Sequence, residues 1–274
     1  MAEIKSPIAV FDSGIGGLTV LRALKACYPH ESYVYLGDTA RLPYGTKSPE
    51  TVIRYSETLC RALLPYKPKA IVIACSTAST HAEAAVQKLA GDIPVVGVIE
   101  PTAEAALSAT KNSHIAVIGT FGTIRKGAYE NALRTLSGNK ASQEVKVSSR
   151  ACQMLVSLAE EGWSGNAIAR ATIHEYLDPL FDRADAPDTL ILGCTHFPVF
   201  AALFREILGD SVALIDSGVA AAHKLEKIVS VERHEPALLK ILATDDPERF
   251  AVNAARFFDV TLTGGDVEQV DVSA

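Results

Sequence analysis

The chain has 274 residues, of which 48% are hydrophobic and 21% are charged, a balance typical of globular proteins with one or two domains. Its formal net charge of −6 argues against a protein that coats nucleic acid or binds an anionic membrane, because both partners select basic surfaces. A small anionic substrate stays compatible with this charge, since a local site can differ in sign from the whole molecule.

Short apolar runs rich in Val and Ile alternate with longer amphipathic segments along most of the chain. The predicted strands, in chain order, are residues 8–11, 33–36, 70–74, 95–98, 115–119, 190–193 and 212–215. The predicted helices are residues 16–28, 49–66, from about 79, from about 102, 123–136, 199–208 and 219–229. Strands that are apolar on both faces and alternate with helices are typical of a parallel sheet covered on both sides.

Two other segments fall outside this alternation. Residues 151–181 predict two helices without an intervening strand, broken near 162–165, and residues from about 261 predict a loose tail. No run approaches the roughly 18 apolar residues of a membrane helix, and the first ten residues lack the pattern of a secretion signal. Five cysteines without C-x-x-C spacing predict free thiols in a reducing cytoplasm.

Two weak internal repeats suggest that the chain has similar halves. Residues 71–77 resemble 190–196, because each segment is an apolar strand that ends in a cysteine followed by a hydroxyl residue. Residues 8–14 resemble 115–121 in a similar way. These repeats predict two pseudo-symmetric α/β domains that face one another, with a single-sheet fold as the alternative. The predicted domains are residues 1–97 together with 211–274, and residues 98–210.

The first predicted strand runs into a glycine-rich turn, DSGIGG, at residues 12–17. In open α/β sheets, ligands bind outside the carboxyl ends of the strands, and backbone N–H groups at a helix start can hold a carboxylate or phosphate. The turn lacks G-x-G-x-x-G spacing and a lysine after Gly17, so a nucleotide site is not favoured. A tight turn alone would explain the glycines, but it would not explain the pair Asp12 and Ser13.

Cys75 and Cys194 differ from the other cysteines in their position. Each ends an apolar strand where a helix is about to start, and a helix N-terminus lowers the pKa of a thiol towards neutrality. Cys27, Cys60 and Cys152 lie in helical stretches, where packing explains them. We therefore expect Cys75 and Cys194 to carry the chemistry.

Residue spacing leaves several reactions open. A zinc site using Cys194 and His196 would need a second pair at ligand spacing, which the sequence lacks. A Cys–His hydrolase, with Cys75 as nucleophile and His196 as base, stays open, as does a binding protein with weak catalysis. Two opposed thiols also suit racemisation, in which one base removes a proton from a carbon and the other returns one to the opposite face.

Six short motifs together resemble the glutamate racemases of the aspartate/glutamate racemase superfamily. They are DSGIGG at 12–17, LPYG at 42–45, ACSTA at 74–78, GCTHFP at 193–198, IDSG at 215–218 and DPERF at 246–250. The resemblance covers the chain from about Ile8 to Phe258. It implies an enzyme that needs no cofactor and no metal, with the active site between two α/β domains, and that converts L-glutamate to D-glutamate for bacterial peptidoglycan.

The matching motifs also imply individual roles. Cys75 and Cys194 would donate and accept the proton, Asp12 would assist Cys75, and His196 with Glu160 would assist Cys194. The residues implied to bind the substrate are Asp12, Ser13, Pro43, Tyr44, Gly45, Ser76, Thr77, Thr120, Thr195 and His196.

The chain departs from the family pattern at two positions near this site. Ser76 stands where the family usually has Asn, and its hydroxyl offers fewer hydrogen bonds than an amide. Gln153 stands where the family usually has Pro. Both departures leave open another acidic amino acid, such as aspartate, as the substrate. The expected partner is a small-molecule substrate, glutamate, with no nucleic acid and no membrane, and a homodimer is left open.

Overall fold

The structure is a computed structural model, and it describes residues 4–138, 144–230, 233–234 and 236–272. The strands are β1 (Ile8–Asp12), β2 (Tyr33–Gly37), β3 (Ala70–Ile73), β4 (Val95–Gly97), β5 (His114–Gly119), β6 (Lys146–Ala151), β7 (Thr189–Gly193), β8 (Ala213–Asp216), β9 (Leu239–Ala243) and β10 (Val267–Gln269). The helices are α1 (Leu18–Cys27), α2 (Pro49–Leu63), α3 (Ser76–Ala90), α4 (Ile99–Ala109), α5 (Phe121–Lys126), α6 (Ala128–Ser137), α7 (Met154–Glu160), α8 (Ala167–Phe181), α9 (Ala201–Leu208), α10 (Ser217–Glu226) and α11 (Pro247–Phe258).

The strands form two sheets, so the predicted α/β fold is confirmed and the single-sheet alternative is wrong. One sheet has six strands in the order β10-β9-β2-β1-β3-β4, and the other has four in the order β6-β5-β7-β8. Every strand pairing among the described residues is parallel. The strands β1, β2, β3, β5 and β7 consist only of buried residues, as expected where helices cover both faces of a sheet.

The second sheet extends beyond the predicted domain boundary at residue 210. Strand β8, which the prediction places in the first domain, pairs with β7 through partners such as Leu190 and Leu214. The chain returns to the six-stranded sheet at β9, beside β2. The division of the chain into the predicted domains stays a prediction, whereas the two sheets divide between β8 and β9.

Three strands and one helix were not predicted from the sequence. Strand β6 lies at the edge of the second sheet, and none of its residues is fully buried. The prediction of a loose tail after about residue 261 is wrong, because β10 pairs with β9 at the edge of the first sheet. Only Val267 of β10 is buried, so backbone pairing orders this segment rather than an apolar run. Helix α11 and strand β9 precede it.

Capping side chains fix where several helices begin. The Ser48, Asn166 and Asp216 side chains accept backbone N–H groups in the first turns of α2, α8 and α10, which satisfies donors that the helix leaves free. In α3 the capping group is instead the thiol of Cys75. In the described part of the chain, no helix is both long and apolar enough to cross a membrane.

Candidate active site

A small cavity lies between the carboxyl ends of the two sheets. It is lined by Ser13, Pro43, Tyr44, Gly45, Cys75, Ser76, Thr77, Thr120, Gln153, Val156, Cys194, Thr195 and His196. The centre of a water molecule can move within only about 20 Å³ of this space, which is room for about one water molecule. A ligand of several heavy atoms can therefore enter only when the walls of the cavity separate.

The structure brings the predicted site residues together around this cavity. All of them line it except Asp12, whose charge raises the pKa of Cys75, and Glu160, whose Oε1 lies 3.1 Å from His196 Nε2. The sequence prediction did not include Gln153 and Val156 among the site residues. Both follow strand β6, and an edge strand with half-exposed residues gives no apolar signal to reveal them.

Cys75 is held at the junction of β3 and α3. Its Sγ accepts the backbone N–H of Ala78 at 3.4 Å and lies 3.5 Å from Ser13 Oγ. Burial, with a smaller contribution from Asp12, raises the pKa of Cys75 to about 12, although the Ser13 hydroxyl and the Ala78 amide lower it. The lowered thiol pKa predicted from the sequence is wrong for Cys75, because the effect of burial outweighs that of the helix N-terminus.

Asp12 is a fully buried carboxyl group at the end of β1. Its Oδ2 accepts the Gly14 N–H at 3.0 Å, while Oδ1 has no hydrogen-bond partner among the described residues. Burial raises the pKa of Asp12, although the charge of His196 and backbone N–H groups of the turn lower it. A buried carboxyl group with one free oxygen is suited to receive a cationic group or a proton.

The glycine-rich turn packs closely against polar side chains on both sides of the cavity. The sequence left open whether its backbone N–H groups hold an anion, and in the structure the Gly14 N–H donates to Asp12. An added Cβ at Gly17 would lie 2.4 Å from Asp12 Cβ, and one at Gly16 would lie 2.5 Å from the ring of His196. The two glycines therefore allow the turn to pack directly against one polar group on each side of the cavity.

Cys194 has a different set of neighbours at the end of β7. Its Sγ lies 3.9 Å from His196 Nδ1, and His196 Nε2 lies 3.1 Å from Glu160 Oε1. Burial lowers the pKa of His196, but hydrogen bonds to Cys194 and Glu160 outweigh burial and raise it to about 10. The ring of Phe257 packs edge-on against the imidazole, with 5.3 Å between centroids. The contacts with Cys194 and Glu160 therefore favour the protonated form of His196 beside the second thiol.

The loop at residues 43–45 forms one wall of the cavity. The Tyr44 hydroxyl donates to the buried carboxylate of Asp38, which also receives Arg41 Nε at 2.8 Å and Thr244 Oγ1 at 3.0 Å. Gly45 lies against Thr120, since an added Cβ would come within 2.7 Å of the threonine Cβ. These contacts fix a loop of the first sheet against a residue that follows β5.

A group of hydroxyls forms the floor between the two sheets. Thr77 Oγ1 lies 2.9 Å from Thr120 Oγ1 and 3.4 Å from Thr123 Oγ1. Ser76 Oγ is also buried, but it has no hydrogen-bond partner within the described structure. The floor thus offers hydroxyl donors that a carboxylate can accept.

The geometry does not favour the hydrolase in which Cys75 is the nucleophile and His196 its base. Both ring nitrogens of His196 are engaged, one by Cys194 and the other by Glu160, so His196 is not placed as the base for Cys75. Within the described ranges, no three His, Cys, Asp or Glu side chains are placed to hold a metal ion. Of the two thiols, Cys194 is the one that contacts an imidazole, His196, which in turn contacts a carboxylate, Glu160.

Comparisons with known proteins identify the family. A family model described as Asp/Glu/Hydantoin racemase matches residues 18–225. The glutamate racemase of Chlorobium phaeobacteroides is 42% identical, over 99% of this chain and 98% of its own length. That of Geobacter metallireducens is 43% identical, over 97% of each chain. The crystal structure of the glutamate racemase of Francisella tularensis, in complex with D-glutamate, superposes with a TM-score of 0.87 at 32% identity, covering 99% of each chain. The chain therefore belongs to the Asp/Glu/hydantoin racemase family, in which these relatives are glutamate racemases.

Proposed function

We propose that the chain interconverts L- and D-glutamate, with Cys75 and Cys194 acting as bases on opposite faces of the substrate Cα. The observation that carries this proposal is the placement of two buried thiols on one cavity, each at the end of a strand from a different sheet. One thiolate removes the Cα proton, and the other thiol donates a proton to the opposite face. The pair of electrons from the C–H bond returns to a new C–H bond, so no oxidant or reductant is required.

Charge develops on the substrate carboxylate when the Cα proton leaves. Hydroxyl donors fixed in a dry site stabilise such charge without reorganising, and Ser13, Ser76, Thr77 and Thr195 line the cavity. On the Cys75 side, Asp12 in this proposal holds the substrate ammonium through its unpaired carboxyl oxygen. On the Cys194 side, the His196 cation stabilises negative charge on sulfur, and Glu160 holds the imidazole in place.

The closed cavity supports proton transfer but prevents entry. Excluding water strengthens the electrostatic interactions inside the site. Glutamate has ten heavy atoms and does not fit a space for about one water molecule, so we propose that the two sheets separate to admit it. The contacts that would break include Thr77 with Thr120 and the Thr19 hydroxyl with the Thr195 carbonyl.

The family relationship extends the proposal to the biological role. We propose that D-glutamate made by this enzyme enters bacterial peptidoglycan, and that the enzyme acts in the cytoplasm. All five cysteines are free, which suits a reducing compartment. The small-molecule substrate is the proposed partner.

One other reaction class has a specific observation in its favour. Cys194, His196 and Glu160 form a series of thiol, imidazole and carboxylate, which is the arrangement of an activated cysteine nucleophile. That alternative is a Cys194-dependent hydrolase. It gives Cys75 no role, whereas racemisation uses both thiols.

Circular dichroism of the substrate tests the proposed function. Purified enzyme is incubated with L-glutamate, D-glutamate, L-aspartate or D-aspartate, with a chelator present and no cofactor added. We expect both glutamate signals to decay to zero and aspartate to react more slowly. A glutamate signal that persists, or that decays only after pyridoxal phosphate or metal is added, would contradict the proposal. Faster loss of the aspartate signal would reassign the substrate.

A further inference from the structure

Tyr129 is a buried tyrosine behind the cavity whose hydroxyl is not bonded. It lies in the first turn of α6 and is 1% exposed. Its hydroxyl has no hydrogen-bond partner in the described part of the structure. Leaving a buried hydroxyl without a partner is costly, and such a group in a folded protein requires an explanation.

The Tyr129 ring lies directly beneath the residue that precedes Cys194. An added Cβ at Gly193 would come within 2.8 Å of Tyr129 Cε2. Burial raises the pKa of Tyr129, whereas the neighbouring hydroxyls of Ser76 and Thr102 lower it, and both Cys75 and Cys194 raise it. Tyr129 is therefore close to Ser76 and within electrostatic reach of both thiols.

Ser76 is the cavity residue next to Tyr129, and its hydroxyl is also unpaired. Ser76 is 3% exposed and lines the cavity immediately after Cys75, yet its Oγ has no hydrogen bond among the described residues. The Thr102 hydroxyl proton already goes to the Val98 carbonyl, so of these two neighbouring hydroxyls Ser76 is the one with a proton left to donate. Ser76 can both accept one hydrogen bond and donate another.

We propose that Tyr129 is a positioning residue that acts on the substrate through Ser76. In the substrate complex the Tyr129 hydroxyl donates to Ser76 Oγ, and the Ser76 hydroxyl is thereby directed into the cavity, where it donates to a substrate carboxylate. This inference rests on the proposed racemisation of an acidic amino acid. It assigns a binding function to two hydroxyls that otherwise stay unsatisfied, and consecutive hydrogen bonds of this kind strengthen one another.

Steady-state kinetics of Tyr129→Phe, Ser76→Ala and the double variant test the inference. One hydrogen bond corresponds to about a three- to tenfold change in affinity. We expect Tyr129→Phe to raise KM for both glutamate enantiomers by about that factor, with kcat changed less than twofold. The Kd for D-glutamate, measured by calorimetry, should rise by the same factor. The double variant should match Ser76→Ala alone, because Tyr129 acts through Ser76.

Tyr28→Phe is the matched control for a purely structural role. The Tyr28 hydroxyl donates to the Ala222 carbonyl at 2.9 Å, so its removal should lower Tm and leave KM unchanged. Tyr129→Phe removes an unpaired hydroxyl and should not lower Tm. The parent enzyme must racemise glutamate for this test to apply. An unchanged KM and Kd in Tyr129→Phe would then overturn the role of Tyr129, and so would additive effects in the double variant. If the parent does not racemise glutamate, the proposed function and this inference both fail.

Discussion

The two thiols occupy equivalent positions in the fold but have opposite electrostatic surroundings. Cys75 and Cys194 each follow a buried parallel strand, and each is 6% exposed. Cys75 caps a fifteen-residue helix and faces the buried carboxyl group of Asp12. Cys194 precedes a short 3₁₀ turn and faces the His196 cation, which Glu160 holds. The internal repeat therefore extends to the strands that end in the two thiols, whereas the side chains around each thiol differ.

This difference suggests how one site handles two mirror-image substrates. At Cys75, burial, with a smaller contribution from Asp12, disfavours a thiolate in the free enzyme, and we propose that the substrate ammonium supplies the compensating charge. At Cys194 the protein supplies a cation of its own. The predictions below test whether both sides are needed and whether they differ in this way.

Removal of either thiol should have the largest effect. Positioned proton transfer contributes about 10²- to 10⁴-fold to a rate, so Cys75→Ala and Cys194→Ala should each lose at least about a hundredfold in kcat/KM in both directions. Circular dichroism of each enantiomer during its reaction measures this loss. Cys27→Ala and Cys60→Ala, which change cysteines outside the cavity lining, should keep near-native turnover. Near-native activity in either thiol variant would contradict the two-base mechanism.

Substitution of Gly16 or Gly17 should disturb the two sides of the cavity separately. Gly17→Ala places a methyl group against Asp12, and Gly16→Ala places one against His196. Misplacing a catalytic group by about 1 Å can cost about a hundredfold in rate, so both variants should lose activity to about that extent. Gly165→Ala is the control, because no atom lies within 4 Å of its added Cβ. Circular dichroism should show that all three variants fold, and native rates in Gly16→Ala and Gly17→Ala would exclude the proposed positioning.

Isotope effects should distinguish the residue that assists Cys75, Asp12, from the residue that assists Cys194, His196. Losing a hydrogen bond to a charged group costs about 1.5–3 kcal/mol, so Asp12→Asn and His196→Asn should each slow turnover about ten- to a hundredfold. Because enantiomers have equal free energies, kcat/KM stays equal in both directions for every variant. The asymmetry should appear instead in the deuterium isotope effects of L- and D-[2-²H]glutamate.

Asp12→Asn slows proton transfer at Cys75, so that step limits the rate more strongly. The isotope effect should then rise for the enantiomer whose Cα–H faces Cys75 and fall for the other enantiomer. His196→Asn should produce the opposite pattern. Isotope effects that change in the same direction in both variants would show that the two residues do not serve different thiols.

The raised pKa of Cys75 predicts a pH-dependent alkylation rate. Only the thiolate reacts with iodoacetamide, and burial holds the pKa of Cys75 at about 12. Below that value the thiolate fraction, and therefore the rate, should rise about tenfold for each pH unit. Peptide mass spectrometry between pH 7 and 9 measures the rate at Cys75, with the exposed Cys27 as an internal control. A plateau near pH 8 would contradict the raised pKa.

The sequence reveals the strands that carry the thiols because those strands are apolar throughout. Strands β3 and β7 are buried on both faces, and their hydrophobic runs stop at Cys75 and Cys194. The carboxyl ends of parallel strands meet at one edge of a sheet, so their proximity could be anticipated. Strand β6 could not, since its half-exposed residues gain order from pairing with β5.

Other features of the site depend on burial that no local pattern encodes. The start of α3 indicates a lowered thiol pKa, but only the structure shows that Cys75 is buried beside Asp12. Tyr129 is far from Ser76 in sequence, and only the packing of α6 makes the two residues neighbours. Helix α11 was not predicted from the sequence, although its Asp246 cap and Pro247 are typical of a helix start, and the contact of Phe257 with His196 was not predicted either.

The most direct test of two bases is the position of deuterium early in the reaction in D₂O. L-glutamate is incubated with enzyme, and both enantiomers are separated and analysed by mass spectrometry before 10% conversion. Two thiols on opposite faces predict that the D-glutamate formed carries deuterium at Cα, while the remaining L-glutamate keeps its protium. Product that retains the original proton, or equal early deuterium in both enantiomers, would mean that a single base serves both faces.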